Sequence, residues 1–491
     1  MSKLLYNSNT WTFDKLRRVE EAIAEIAHDE LNLDVYPNQI EIIGSDQMLD
    51  AYSSNGLPLM YGHWSFGKHF LQQEHEYRKG LSGLAYEIVI NSSPCISYLM
   101  EENSMTMQTL VIAHAAYGHN HFFKNNYLFK QWTDAEGIID YLSFAKKYVS
   151  ECEEKYGMQE VEATLDACHA IMDYGVDKYK RPSKLNKEQE MAQQKERAEY
   201  VQKQANVLWS TLPEVEKHLD IDVDYVPFPS EPQENIMYFI EKYSPVLETW
   251  QRELVRIVRK TSQYFYPQRQ TKVMNEGWAS FTHYFIMNRL WEKGQISDGN
   301  YLEFIHSHSG VLTQLPYNHK YYNGYNPYAL GFDMFTDIRR ICTEPTKEDE
   351  EYFPEIAGQP WLPVCLDAVE NYRDESFINQ FLSPKLMREW GLFEITNNQF
   401  DDHVTISSIQ NKTGYDNIRR SLSAQYSTTS QQPDIQVVNA NLKGDRTLEL
   451  NYTPRKHTAL HENTDRVLRY IEFLWGHDVT LDEDDWSVDL D

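Results

Sequence analysis

The sequence predicts a mainly α-helical α+β protein. A large helical domain with a few strands is expected over residues 1–384, and a small carboxy-terminal α+β domain with an acidic tail over 385–491. Three observations carry this. Apolar residues recur at helical spacing through most of the chain from residue 13 to residue 307, short β-branched runs interrupt them at two places, and beyond about residue 385 the texture turns to apolar–polar alternation. At about 150 residues per domain, 491 residues make roughly three domain-equivalents, ample for a buried core.

Leu16, Val19, Ile23 and Ile26 share one face of an amphipathic helix over 13–31. IEII (40–43) and YEIVI (86–90) read as strands. Helices are expected over 104–118, 134–156, 158–178, 186–207, 233–264, 273–293 and 298–307. NKEQEMAQQKERAEYVQKQ (186–204) is almost wholly polar and reads as a solvated face or connector. PYNHKYYNGYNPYALGF (316–332) mixes Pro, Gly and Asn with five tyrosines and is expected to be an ordered loop whose rings and amides suit a sugar or peptide. In the last hundred residues LFEIT, HVTISSI, DIQVV and LELNY alternate as strands, KGD marks a hairpin turn, and YDNIRRSLSAQY and TDRVLRYIEFLW read as helices.

Charge and composition exclude several functions. With 46 Lys+Arg against 74 Asp+Glu the formal charge is −28, which repels a phosphate backbone, so no nucleic-acid partner is expected. Mean hydropathy is −0.62 and no apolar run approaches the ~18 residues of a membrane span. The start, MSKLLYNSNTWTFDKLRR, lacks the pattern of a secretory signal, so the expected address is cytoplasmic. Five scattered cysteines without a CxxC pair argue against a disulfide framework and a thiolate metal site.

The chain contains no GxxxxGK[ST], no strand-to-helix GxGxxG and no GxSxG elbow. Histidines and carboxylates on predicted helices remain. LVIAHAAYGHNHFFKNN carries His114, His119 and His121 and resembles a zincin helix with an insertion. In HExxH the two imidazoles lie four residues apart on one face, close enough to share a zinc ion. His114 and His119 are five apart and diverge by about 140° on a regular helix, so a shared ion requires a π-bulge or a break at Gly118. His121 shares the face of His114 but lies about 10.5 Å along the axis and is left out of the ligand set. Ala115 occupies the position of the zincin general base. VMNEGWASFTHYFIMNRL, with Glu276 and His283, resembles the gluzincin helix that supplies a carboxylate ligand. These likenesses give the large domain a zincin-like aspect.

In EATLDACHAIMDYGVD, the groups Glu162, Asp166, His169 and Asp173 form one ionisable stripe, costly to bury without polar partners. Asp166 and His169 form a [DE]xxH pair, as do Glu303 and His306, followed by His308. With Glu276 these pairs permit a rival arrangement, a di-metal carboxylate centre in a helical bundle, for which Glu101 or Glu102 would supply the further carboxylate.

Assembled, these segments make the chain resemble the stage V sporulation protein R (SpoVR) family. The phrases YEIVINSSPCISYLMEENSMTMQTLVIAHAAYGHNHFFKNNYLF, CHAIMDYGVDKYKRP, SEPQENIMYFIEKYSPVLETWQRELVRIVRK, SQYFYPQ, VMNEGWASFTHY, INQFLSPKLMREW and LKGDRTLELNY carry the likeness over nearly the whole chain. The resemblance implies a bacterial protein of sporulation and spore cortex formation or, in non-sporulating bacteria, of stress or starvation physiology beside a serine protein kinase operon. It brings no biochemical activity. The family pattern includes the positions of His114, His119, His169, Glu276, His283, His306 and His308.

The motifs give one chemical expectation: His114, His119 and Glu276 bind a divalent metal, zinc first, whose acidified water attacks an amide or peptide-type bond. Asp166, His169 or His283 then shuttles the proton in place of the missing zincin glutamate. Peptidoglycan-related peptides are the first substrate expected. The rival expectation is a non-enzymatic stress-response regulator or scaffold, which Ala115 favours.

Overall fold

In the computed structural model, residues 4–53, 60–66, 68, 71, 75, 86–178, 228–396, 405–409, 411–427, 432–454, 460 and 463–483 are described. The expected polar helix at 186–207 lies outside them, as does nearly all of the acidic tail. In chain order the elements are α1 (Phe13–Asp29), β1 (Asn38–Ile43), α2 (Ser45–Ser53), β2 (Glu87–Ile90), β3 (Cys95–Met100), α3 (Met105–Ile112), a π-helical turn (Ala113–His119), α4 (Asn120–Asn125), α5 (Tyr127–Trp132), α6 (Ile138–Tyr156) and α7 (Met158–Ala170). They continue as α8 (Ile236–Tyr243), α9 (Thr249–Gln270), α10 (Lys272–Glu292), α11 (Asp298–Val311), α12 (Pro327–Thr343), α13 (Lys347–Tyr352), α14 (Trp361–Asn371), α15 (Asp374–Phe381) and α16 (Pro384–Glu389). The chain ends through β4 (Glu394–Thr396), β5 (Thr405–Ser408), α17 (Lys412–Ala424), β6 (Asp434–Ala440), β7 (Leu448–Thr453), α18 (Thr464–Trp475) and β8 (Val479–Glu483). The fold is mainly helical with few strands, as the periodicity predicts.

Two compact units divide the chain, each built from two segments: residues 1–150 with 264–427, and 151–263 with 428–491. In the first, Thr12 caps α1 by accepting the Lys15 N–H, and Leu16, Val19, Ile23 and Ile26 are buried, as their spacing requires. A three-stranded sheet of order β1-β3-β2 has β1 parallel and β2 antiparallel to β3. Alternation gives it two faces. Val89, Cys95 and Leu99 join the main core, while Ile88, Tyr98 and Met100 pack with Met48 and Ala51 of α2. Trp278, Phe281 and Phe335, on α10 and α12, stand among the core's aromatic side chains.

Residues 327–332, expected as loop, instead open α12. Asn326 accepts the Tyr328 N–H and Pro327 occupies the first turn, where its missing N–H costs nothing. In the second unit β6, β7 and β8 form a sheet in that order, and buried Glu241 pairs with Arg256 at 3.0 Å and Arg259 at 2.8 Å. Among the described residues no helix is long and apolar enough to cross a membrane.

Candidate metal centre

The spacing of five between His114 and His119 is resolved by the backbone. Residues 113–119 form a π-helical turn in which the Asn120 N–H reaches the Ala115 carbonyl, five residues back. Such a turn brings residues five apart onto one face, and the two imidazoles stand with ring centroids 4.6 Å apart, nearly perpendicular. Gly118 lets this turn press on α10: a Cβ there would lie 2.6 Å from the Ala279 Cα.

Glu276 enters from α10, one turn from its start. Thr271 offers this helix no side-chain cap, and Asp374 of α15 accepts the N–H groups of Val273 and Met274, each at 2.9 Å. At Gly277 the backbone meets Gly331 of α12 so closely that a Cβ would lie 2.4 Å from the Gly331 Cα. That contact brings in Tyr328, which hydrogen-bonds Glu276 and stacks over His114 at 6.4 Å.

A fourth donor comes from the sheet. Glu87 begins β2 on the face of Val89 and Leu99, the face turned to the core, so its carboxylate points where alternation would place an apolar side chain. Glu87, His114 and His119 offer ligand atoms that all lie within 4.8 Å of one another. The individual separations are 3.4 Å from His114 Nε2 to Glu87 Oε1, 3.8 Å from His114 Nε2 to Glu276 Oε2, and 3.4 Å from His119 Nε2 to Glu276 Oε2. Tetrahedral zinc with bonds of about 2.0–2.1 Å sets its ligand atoms about 3.3 Å apart, close to these three separations.

Two further facts fit a cation. Glu87 Oε2 and Glu276 Oε2 are buried without a hydrogen bond, and two carboxylates facing two imidazoles are balanced by a divalent ion. The imidazoles are also turned correctly. The His119 Nδ1 lies 2.9 Å from Asn275 Oδ1, an acceptor, which leaves Nε2 free for a ligand bond. The His114 Nδ1 lies 2.9 Å from the His283 Nδ1, and the His283 Nε2 lies 2.8 Å from the His308 Nδ1.

The electrostatics follow from burial among these charges. Burial pushes the Glu87 carboxyl up to about 7 although His114 opposes it. Burial also acts upward on Glu276, but His119, His114 and the Tyr328 hydroxyl together hold it below the usual carboxylate range. For His114 burial acts downward and is outweighed by Glu87 and Glu276, which raise it, whereas burial drives His119 down to about 4. Burial, reinforced by the neighbouring histidines, holds His283 well below the ordinary value.

The sequence-derived residues therefore divide. His114, His119 and Glu276 come together, and His283 stands behind His114, away from the side where Nε2 points. Asp166 and His169 lie on α7 of the second unit, and the first unit's donor cluster contains neither. Glu303 accepts from the Ser104 hydroxyl and His306 is exposed. His121 accepts the Trp278 indole N–H at 3.1 Å and has a structural role. Sequence reasoning missed Glu87 and Asn275. The signal for Glu87 was a lone carboxylate at an inward position of the strand YEIVI.

Fold and site together define a mainly helical protein in which Glu87, His114, His119 and Glu276 cluster in a largely buried site. The comparisons with known proteins add its kinship. The family model described as SpoVR like protein matches residues 10–431, and that of the SpoVR-like C-terminal domain matches 433–485. The chain belongs to the SpoVR family. It is 54% identical over 482 residues to the uncharacterized protein YcgB of Escherichia coli (strain K12), covering 98% of this chain and 94% of that one. No solved structure matches.

Proposed function

We propose that this protein is a zinc-dependent hydrolase of amide or peptide-type bonds, with His114, His119 and Glu276 as ligands and Glu87 as the proton acceptor. The observation that carries this is that Glu276 Oε2 lies 3.8 Å from His114 Nε2 and 3.4 Å from His119 Nε2, with Glu87 Oε1 3.4 Å from His114 Nε2. A zinc ion held there would acidify a water and polarise a carbonyl. Glu87 supplies the carboxylate that zincins carry beside the first histidine, here Ala115, and takes the role the sequence assigns to Asp166, His169 or His283. The family's association with spore cortex makes peptidoglycan-derived peptides the first substrates to test, with a neighbouring serine protein kinase system as a regulatory partner.

One observation favours a second reading. If Glu87 itself takes the fourth position, the protein closes the tetrahedron, as in structural zinc sites, and the chain acts as a stress-response regulator or scaffold. Glu87→Gln separates the two. The hydrolase reading expects zinc-loaded wild type to release amine from muramoyl peptides, and Glu87→Gln to keep its zinc while losing about 10²–10⁴-fold in rate. No turnover by wild type, with zinc loss in Glu87→Gln, supports the closed site.

A further inference from the structure

His283 and His308 stand out because both are buried and they are linked to His114 on its Nδ1 side, opposite the Nε2 that faces Glu87 and Glu276. His114, His283 and His308 are 4%, 2% and 5% exposed and form a continuous file. Its links are 2.9 Å between the Nδ1 atoms of His114 and His283, and 2.8 Å from His283 Nε2 to His308 Nδ1. The far ring is walled by aromatic side chains, with Tyr284 stacked at 4.9 Å, Phe332 at 4.9 Å and Phe304 at 5.6 Å. Such walls fix its orientation.

A neutral imidazole donates from one nitrogen and accepts at the other. His283 uses both, so the file has only two orders. In one, His114 donates from Nδ1 to His283, which donates from Nε2 to His308. In the other every bond is reversed, the His114 proton sits on Nε2, and that proton faces Glu87 and Glu276 where a cation would bind. Only the first order leaves the Nε2 lone pair free.

We infer that His283, ordered by His308, is a positioning residue that fixes the tautomer of His114 and so presents its Nε2 to the cation. The pairing of His119 with Asn275 does the same for the second imidazole through an amide oxygen. This inference rests on the zinc reading above and extends it to residues that touch no ligand. Partners of this kind, when removed, lower metal affinity by about 10–100-fold.

The test is zinc affinity measured by competition with a chromophoric chelator, together with the His114 tautomer read from ¹⁵N-histidine NMR of metal-free protein, where no ion imposes it. His283→Leu removes the acceptor and is expected to weaken zinc by 10–100-fold. His283→Asn keeps an acceptor oxygen near the place of Nδ1, as Asn275 does for His119, and is expected to stay within about threefold of wild type. Wild-type spectra are expected to carry the His114 proton on Nδ1. Equal affinity in the Leu and wild-type proteins, equal losses in the Leu and Asn variants, or a His114 proton on Nε2, overturns the inference while leaving the zinc reading intact. Absence of zinc binding by wild type overturns both. Because the spectra use unmodified protein, they decide the matter even where His283→Leu does not fold.

Discussion

Two histidines five positions apart cannot meet on a regular α-helix, and the π turn at 113–119 is how this chain brings them together. His114, His119 and Glu276 were legible because each sits in a short motif whose residue types have a known chemical use. Glu87 was not, because a carboxylate delivered by a strand leaves no local spacing to read. Its trace is a carboxylate at an inward position of β2. Gly118 belongs to the same economy of space: a methyl there meets the α10 backbone at 2.6 Å. Gly118→Ala is therefore expected to lower stability by about 1–3 kcal/mol, the usual cost of overpacking, and to weaken zinc binding, as measured by urea unfolding and chelator competition. Unchanged values for both would show that the turn and α10 do not need this contact.

At the scale of elements, helices such as α1 and α10 were legible from their periodicity, whereas α12 and α14, of 17 and 11 residues, were not anticipated, nor were the shortest ones. Helices α13, α15 and α16 have six to eight residues, too few turns for a periodic pattern. The single helix expected over 233–264 is two, α8 and α9, because Ser244 precedes Pro245 and adopts ψ of 128°, outside the helical range. Residues 327–332 looked like loop because Asn and Pro mark turns, yet the same pair starts α12 as cap and first-turn residue. The start of α10, which carries Glu276, depends on Asp374, about one hundred positions away. Asp374→Ala leaves the Val273 and Met274 N–H groups buried without an acceptor. It is expected to cost about 1–2 kcal/mol in urea unfolding, with Asp374→Asn intermediate, and to reduce zinc affinity in step. A full loss of stability with unaltered zinc affinity would separate the cap from the site.

Across the whole molecule, the association of residues 264–427 with the first 150 is a matter of tertiary contact that leaves no periodic mark in the sequence, whereas kinship extends over 98% of the chain. The same association brings donors 189 positions apart, Glu87 and Glu276, to one place. Protons compete with the ion for these donors, so zinc retention must fall as pH falls, beginning where His114, raised above 6.5 on balance by Glu87 and Glu276, takes up its proton. Zinc content per chain, measured by elemental analysis on protein loaded and then desalted without chelator at pH 8, is the most direct test. One equivalent in wild type, lost together in His114→Ala and Glu276→Ala, is the expected result. Wild-type protein that retains no divalent ion under those conditions would contradict it.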